Sequence, residues 1–376
     1  MSTKTQLLIT GVTGNISALT NSISGFIGGT ILDKLMKHPA FSSYEITALL
    51  RSSEKAEKLR KLGIGAVVGS HNDEMLVESL AANADVVVAT ADADNVTAMK
   101  ATLKGLKQRY TATGIVPTFI HTSGVAVLAD KEIGNRASET IFDDTNLEQI
   151  EALPDTAMHR NVDLLLVNAD VEGRSRVLKI NSTITGYIKS YILLPAVWTK
   201  EIQNAKSVYD LTAFFGRAAL TRGRSGMVGG GKNKFGNVHV DDTADLYILV
   251  LDATRKGVLI GHGREGYYFV ESGEHTMYEP AKAIGEVLVA QGLAKEAEPS
   301  AFTQEEIQKY LHGISIFGSN CRSQANRARS IGWKPRYTKE DFLSSVRIDT
   351  KTQAAAWVSL VKKSNETPAT LEHTGN

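Results

Sequence analysis

Short apolar runs alternate with amphipathic stretches along the first half of the chain. The runs "QLLIT", "YEITALLR", "GAVVGS" and "DVVVATA" are typical of strands, and a stretch with helical spacing follows each of them. The runs "VPTFIHTSG" and "YIKSYILLP" continue the pattern. This alternation predicts right-handed βαβ crossovers and a parallel sheet. Because the fourth and fifth runs are almost continuously apolar, we predict helices on both faces, an α/β fold with a doubly wound parallel sheet.

The pattern becomes less regular after Pro195. The stretch "GMVGGGKNKFGNVHVDDTADLYILVLDAT" predicts a glycine-rich loop, a short strand and a helix that Asp241 and Asp242 cap. The predicted organisation is a sheet domain (1–195), a smaller C-terminal substrate lobe (196–365, of which 237–254 returns to the first domain) and a disordered tail (366–376).

Composition narrows the class of protein. The 376 residues carry a net charge of +1 and are 42% hydrophobic, which is ordinary for a globular protein and does not favour nucleic acid as a partner. The apolar runs are too short to span a bilayer, and "MSTKTQ" is not a secretory signal. A single cysteine, Cys321, excludes an internal disulfide and a cysteine-based zinc cluster. We therefore expect a cytoplasmic, enzyme-like protein with a small-molecule substrate and no metal.

The first strand runs into a glycine turn, "TGVTG", at residues 10–14. Glycine suits such a turn because the backbone can adopt positive φ and approach a pyrophosphate closely. A helix should then begin with its N–H groups directed at the phosphates. Here residues 15–25 separate the turn from the helical stretch "FIGGTIL".

Joining the two halves gives "LLITGVTGFIGGTIL", which resembles the T-G-x-x-G-F-I-G-G signature of the extended short-chain dehydrogenases/reductases. The chain is similar to their atypical fungal branch, which is epimerase/dehydratase-like and NmrA-like. The motifs "IHTSG", "NVHVDDTADLY", "GREGYYF" and "RARSIGWKPR" extend the resemblance over nearly the whole chain. It implies a Rossmann fold, an NAD(P) cofactor, a small carbonyl or hydroxyl substrate, and a homodimer.

The resemblance also implies which residues contact the cofactor. Arg51 closes the second strand, where an acidic residue would bind the ribose of NAD and an arginine pairs with the 2′-phosphate of NADP, so NADP is favoured and NAD is the alternative. Asp73 is expected near the adenine, and residues 91–93 near the nicotinamide ribose. The full set is Gly11, Thr13, Gly14, Phe26, Ile27, Gly28, Arg51, Ser52, Asp73, Ala91, Asp92 and Ala93.

The family's catalytic residues are only partly present. Members usually carry a serine and a Tyr-x-x-x-Lys pair; Ser123 matches the serine, but His159 and Asp163 stand where tyrosine and lysine are expected. Histidine can serve as a proton donor near neutral pH, and Asp163, one helical turn away, could orient it. The alternative is that His159 and Arg160 only begin the helix.

Two functions therefore compete. The protein is either an NADP-dependent oxidoreductase or epimerase-like enzyme with a non-standard acid, or a non-catalytic, NmrA-like NADP-sensing regulator. The retained turns "TGVTG" and "HTSG" argue against a purely structural protein.

Two segments interrupt the family pattern, residues 15–25 and 174–186, and deleting either restores it. We hypothesise that both are retained introns or gene-model errors; genuine loops are the alternative. As genuine loops, the second would be tolerated in a helix-to-strand connection. The first splits the phosphate turn, so we expect it to weaken NADP binding.

Overall fold

The structure, a computed structural model, describes residues 4–12, 26–171, 186–199, 211–313 and 316–366. Its strands are β1 (Thr5–Thr10), β2 (Tyr44–Leu50), β3 (Gly65–Val68), β4 (Val86–Ala89), β5 (Thr118–Thr122), β6 (Phe142–Asp143), β7 (Lys189–Pro195), β8 (Val197–Thr199), β9 (Gly226–Met227), β10 (Lys234–His239), β11 (Tyr267–Val270), β12 (Gly273–Thr276), β13 (Ser300–Ala301) and β14 (Ser323–Gln324). Its helices are α1 (Ile27–Met36), α2 (Ser53–Lys61), α3 (Glu74–Ala81), α4 (Val96–Thr113), α5 (Leu147–Glu151), α6 (Arg160–Val171), α7 (Leu211–Arg222), α8 (Val240–Arg255), α9 (Tyr278–Ala290), α10 (Gln304–Leu311), α11 (Asn326–Ser330) and α12 (Lys339–Glu366).

A seven-stranded sheet forms the centre of the molecule, in the order β3-β2-β1-β4-β5-β7-β11. All of its neighbouring strands run parallel. The chain moves outward from β1 to β3 and then returns to place β4 on the other side of β1. At such a reversal of strand order a crevice opens outside the carboxyl ends of the strands. The predicted doubly wound parallel sheet, a Rossmann fold, is confirmed.

Helices cover the sheet because its strands are apolar on both sides; residues 86–88 of β4, for example, are all buried. Helices α3, α4 and α6 pack side by side, and α1 packs against α8. Ser52, Asp73 and Asn95 begin helices α2, α3 and α4, each accepting a hydrogen bond from a backbone N–H three residues on. These helices therefore start at the edge of the sheet where the crevice opens.

The C-terminal half contributes to the central sheet and forms smaller layers. Strands β8, β10 and β12 make a three-stranded sheet, and α12 packs against α7 and α9. Helix α8 lies in the segment predicted to return to the first domain, and a 2.6 Å ion pair between Lys34 and Asp245 links it to α1. Strand β11, from the segment assigned to the lobe, also lies in the central sheet, where it pairs with β7.

Parts of the sequence-based organisation lie outside the described residues. These are residues 15–25, residues 174–185 of the second extra segment, and the predicted tail apart from Glu366, which ends α12. The chain on either side of the second segment is described: the N–H of Gly186 donates to the carbonyl of Asp170 over 2.7 Å. The described residues near the two ends of this segment therefore lie next to each other.

Two kinds of feature were not found among the described residues. No helix in them has the length and apolar character needed to cross a bilayer. Nor do they contain a group of three or more His, Cys, Asp or Glu side chains arranged to hold a metal ion.

The prediction that Asp241 and Asp242 cap α8 was wrong. The cap is His239, whose Nδ1 accepts from the N–H of Asp241 over 3.1 Å. Asp242 is fully buried, and its Oδ2 accepts from the backbone N–H groups of Arg336 and Tyr337 over 2.9 and 3.0 Å. Asp242 therefore fixes the loop that leads to α12.

We expect Asp242→Ala to destabilise the protein by about 1.5–3 kcal/mol, because it leaves backbone donors without their charged acceptor. The neighbouring control, Asp241→Ala, should change stability by less than about 0.5 kcal/mol. Urea denaturation followed by circular dichroism measures both. Equal losses in the two variants would contradict this assignment.

Candidate functional site

The turn after β1, the start of α1 and the end of β4 meet without space for side chains. Gly11 has φ +74°, and a Cβ there would lie 2.6 Å from the carbonyl carbon of Thr90. A Cβ on Gly28 would lie 2.7 Å from the carbonyl oxygen of Gly11. The Thr90 hydroxyl contacts both positions and donates to the carbonyl of Thr10 over 2.7 Å. Both glycines are therefore required by close packing, and the two halves of the split motif touch.

Sequence reasoning missed Thr90, although it lies within the run "DVVVATA" that was predicted as the fourth strand. The predicted contacts Thr13 and Gly14 lie outside the described residues. Phe26 and Ile27 lie at the start of α1, whose first turn, residues 27–30, carries no acidic side chain. The positive end of the helix dipole is therefore not neutralised there, which favours an anion.

The next part of the edge is formed by the ends of β2 and β3. Arg51 is exposed immediately after β2. Ser52 and Asp73 serve as helix caps, with their side chains accepting from the N–H groups of Lys55 (3.3 Å) and Leu76 (3.1 Å). Three of the predicted cofactor contacts, Arg51, Ser52 and Asp73, thus lie at the carboxyl ends of the strands. Two of them, Ser52 and Asp73, also begin helices.

The loop after β4 has a strained backbone. Asp92, between the half-buried Ala91 and Ala93, has φ +45° although it is not glycine. Its carboxylate accepts from Asn95 Nδ2 over 3.3 Å and lies 3.5 Å from His71 Nε2. Such conformations persist where the surroundings impose them, and they concentrate at functional sites.

His159 lies at the same edge, at the start of α6. It also has positive φ, +68°, and its carbonyl accepts from the N–H of Asp163 within the helix, so it does begin the helix. Its Nδ1 lies 2.7 Å from Asp94 Oδ1, and the side chain is 9% exposed. A Cβ on Gly124 would lie 3.0 Å from its Nε2, so the ring lies over the turn that follows Ser123. The prediction that Asp163 orients His159 was wrong, because Asp94 does so.

Asp163 is bonded to Ser123 instead. The Ser123 hydroxyl donates to Asp163 Oδ2 over 3.0 Å, and both side chains are buried. Burial raises the pKa of Asp163 to about 7, although the Ser123 hydrogen bond and the Arg160 charge act in the opposite direction. His121 lies behind this pair, with its Nε2 3.9 Å from Asp163 Oδ1. Burial lowers the pKa of His121 to about 3, so its ring is neutral at physiological pH.

Two tyrosines lie near this cluster, and neither replaces the missing one. Tyr267 accepts a hydrogen bond from the guanidinium of buried Arg160 over 2.8 Å, and the Tyr247 hydroxyl lies 2.5 Å from that of Thr122. Burial raises the pKa of both phenols. The site therefore combines the His159–Asp94 pair with the Ser123–Asp163 pair.

Comparisons with known proteins identify a cofactor-binding family and a fungal relative. A family described as NAD(P)H-binding matches residues 23–149. Oxidase ucsJ of Acremonium sp. is 31% identical over 332 residues, which cover 83% of this chain and 90% of the oxidase.

Solved structures show the same fold. UDP-glucose 4-epimerase of Thermotoga maritima, with UDP-glucose, has a TM-score of 0.58 and 15% identity, covering 93% of this chain and 99% of the epimerase. The Thermus thermophilus UDP-glucose 4-epimerase, in complex with NAD, has a TM-score of 0.57 and 17% identity over 93% of this chain and 99% of the epimerase. The chain therefore belongs to the same family as this fungal oxidase, contains an NAD(P)H-binding domain over residues 23–149, and shares the fold of the epimerases.

Proposed function

We propose that this protein is an NADP-dependent oxidoreductase that interconverts a small hydroxyl compound and its carbonyl form, with His159 as the proton donor and acceptor. The observation that carries the proposal is the 2.7 Å contact between His159 Nδ1 and Asp94, beside Ser123 and Gly124 at the crevice. The relationship to an oxidase supports redox chemistry over epimerisation.

The residues present fit the cofactor. Gly11 and Gly28 leave the backbone open to close approach, since a side chain at either position would collide with its neighbours. The first turn of α1 favours phosphate, and Arg51 would hold the 2′-phosphate. When bound, the cofactor supplies or accepts a hydride.

The chain's own residues would manage the proton. Asp94 accepts the hydrogen of Nδ1, which fixes the tautomer of His159 and leaves Nε2 to exchange a proton with the substrate oxygen. The same carboxylate stabilises the imidazolium once it forms. Ser123 would hydrogen-bond the substrate oxygen. No lysine is required, because a histidine needs no neighbouring cation to release a proton near neutral pH.

We expect His159→Gln to lower kcat by about 10²–10⁴-fold, the usual contribution of a general acid–base residue, and Asp94→Asn to lower it by a smaller factor. Cofactor absorbance with a panel of aldehydes, ketones and alcohols measures the rates. The control, His38→Gln, lies beyond the end of α1 that faces away from the crevice and should keep the wild-type rate. An unchanged kcat in His159→Gln would refute the proposed role.

The same panel tests the second candidate function, which the missing tyrosine and lysine favour. Tight NADP binding by calorimetry without turnover of any panel member would support a non-catalytic, NADP-sensing regulator of the NmrA-like kind.

The cofactor preference has its own test. A charge-assisted arginine–phosphate contact contributes about 1.5–3 kcal/mol, so Arg51→Asp should weaken NADP binding by about 10- to 100-fold and leave NAD binding unchanged or improved. Calorimetry with both cofactors measures the change. The control, Lys61→Asp, makes the same charge change at the far end of α2. A parallel loss for NAD and NADP would count against the 2′-phosphate contact.

Deleting residues 15–25 should tighten NADP binding. Gly11 and Gly28 already touch, so the flanking chain can close without the segment, and the deletion restores the uninterrupted phosphate turn. Deleting residues 174–185 is the control and should leave the affinity unchanged, because Asp170 and Gly186, near the two ends of the deletion, are already hydrogen-bonded. Calorimetry that finds equal affinity before and after the first deletion would show that the insertion does not affect the site.

A further inference from the structure

The single hydrogen of the Ser123 hydroxyl is already engaged in a hydrogen bond. Its Oγ donates to Asp163 Oδ2 over 3.0 Å, inside the protein. An ionised carboxylate can only accept hydrogen bonds, so this donation is fixed while Asp163 is charged. Ser123 then offers only lone pairs to a ligand. In that state it can accept from an alcohol but cannot donate to a carbonyl.

Protonation of Asp163 reverses the bond. A neutral carboxyl has one O–H donor, which can donate to Ser123 Oγ over the same distance. The Ser123 hydrogen is then released from Asp163 and can point toward a ligand. In that state Ser123 can donate to a carbonyl oxygen.

We infer that Asp163 sets the hydrogen-bond polarity of Ser123, so that Ser123 can donate to a carbonyl substrate when Asp163 is neutral and can only accept from a ligand when Asp163 is ionised. This inference rests on the proposed function, since it concerns how the carbonyl substrate of that reaction is held. Asp163 acts through Ser123 and is a positioning residue.

The surroundings of Asp163 allow both states. Its Oδ1 accepts no hydrogen bond, and neither ring nitrogen of the adjacent His121 has a hydrogen-bond partner in the described structure. Among charged and titratable neighbours, Arg160 of its own helix favours the carboxylate, and Asp94, on the loop before α4, opposes it. His121 on β5 is neutral, His159 precedes the helix, and Tyr267 on β11 is uncharged. Burial, the largest influence, and the Asp94 charge raise the pKa of Asp163 to about 7 against the Ser123 hydrogen bond and the Arg160 charge.

Infrared spectroscopy of the protein without added ligand tests the two states. The carbonyl band of a protonated carboxyl should disappear as the pH rises through about 7, and subtracting the Asp163→Asn spectrum isolates it. Ser123→Ala should raise the midpoint, because the lost hydrogen bond favours the ionised form. The neighbouring control, Thr122→Ser, should leave it unchanged. A band absent at every pH, or an unmoved midpoint in Ser123→Ala, would overturn the inference.

Stability gives a second readout. The pKa of Asp163 is higher in the folded than in the unfolded state, so between about pH 4 and 7 the folded state binds more protons. The free energy of unfolding therefore decreases as the pH rises through this window. The melting temperature of Asp163→Asn should therefore rise relative to wild type across the window and level off above it. If this variant does not fold, the infrared comparison of wild type with Ser123→Ala still decides.

Activity completes the test. Because reduction takes up a proton, kcat/KM for reduction falls relative to that for oxidation as pH rises in every variant, so the diagnostic is the inflection that belongs to Asp163. With a carbonyl substrate from the panel, wild-type kcat/KM should show an inflection near pH 7 that Asp163→Asn loses. An unchanged pH profile in Asp163→Asn would overturn the inference. If no panel member turns over, the proposed function fails, whereas the infrared titration still shows whether Asp163 controls the Ser123 hydrogen.

Discussion

The close approach of Gly11, Gly28 and Thr90 is the contact on which the rest of the site depends. It brings the end of β1, the start of α1 and the end of β4 together where the strand order reverses. Thr90 is anchored to the β1 carbonyl at Thr10, so the loop that follows it starts from a fixed point. That loop contains the strained Asp92 and then Asp94, which holds His159. Packing that excludes side chains at two positions thus determines where His159 lies.

The charges of the site are the reverse of those that a tyrosine-based site needs. A catalytic phenol has a high intrinsic pKa, so a neighbouring cation is needed to lower it. An imidazole needs no such help, and a carboxylate beside it stabilises the charged form. Asp94 supplies that carboxylate, and the position expected to hold lysine carries Asp163. A second free carboxylate there would be costly to bury, but the Ser123 hydrogen bond and partial protonation offset that cost. The substitutions at residues 159 and 163 are therefore mutually consistent.

The sequence was sufficient to predict the sheet, the contact between Gly11 and Gly28, and the placement of Ser123 and His159 near each other at the carboxyl ends of the strands. The sheet follows from hydrophobic periodicity, whereas the pairing of the two glycines and the placement of Ser123 and His159 follow from the family resemblance. The side-chain partners were not predictable in the same way. His159 pairs with a residue 65 positions away and Ser123 with one 40 positions away, and periodicity reports only which face is buried. The prediction that Asp242 caps α8 was wrong for the same reason. Its position in the sequence is typical of a helix cap, but the donors that it accepts from lie in a distant loop.

The two extra segments show how differently a fold and a site respond to inserted chain. In both places the flanking backbone already touches: Gly28 lies against the Gly11 carbonyl, and Gly186 bonds to Asp170. The entropy of closing a loop grows only with the logarithm of its length, so neither insertion need cost the fold much. The connection between α6 and β7 carries no predicted site residue, so we expect an insertion there to leave cofactor binding unchanged. The phosphate turn is different, because its function lies in consecutive backbone groups and not in side chains that can be held from elsewhere. Stability and cofactor binding can therefore respond differently to the same inserted residues.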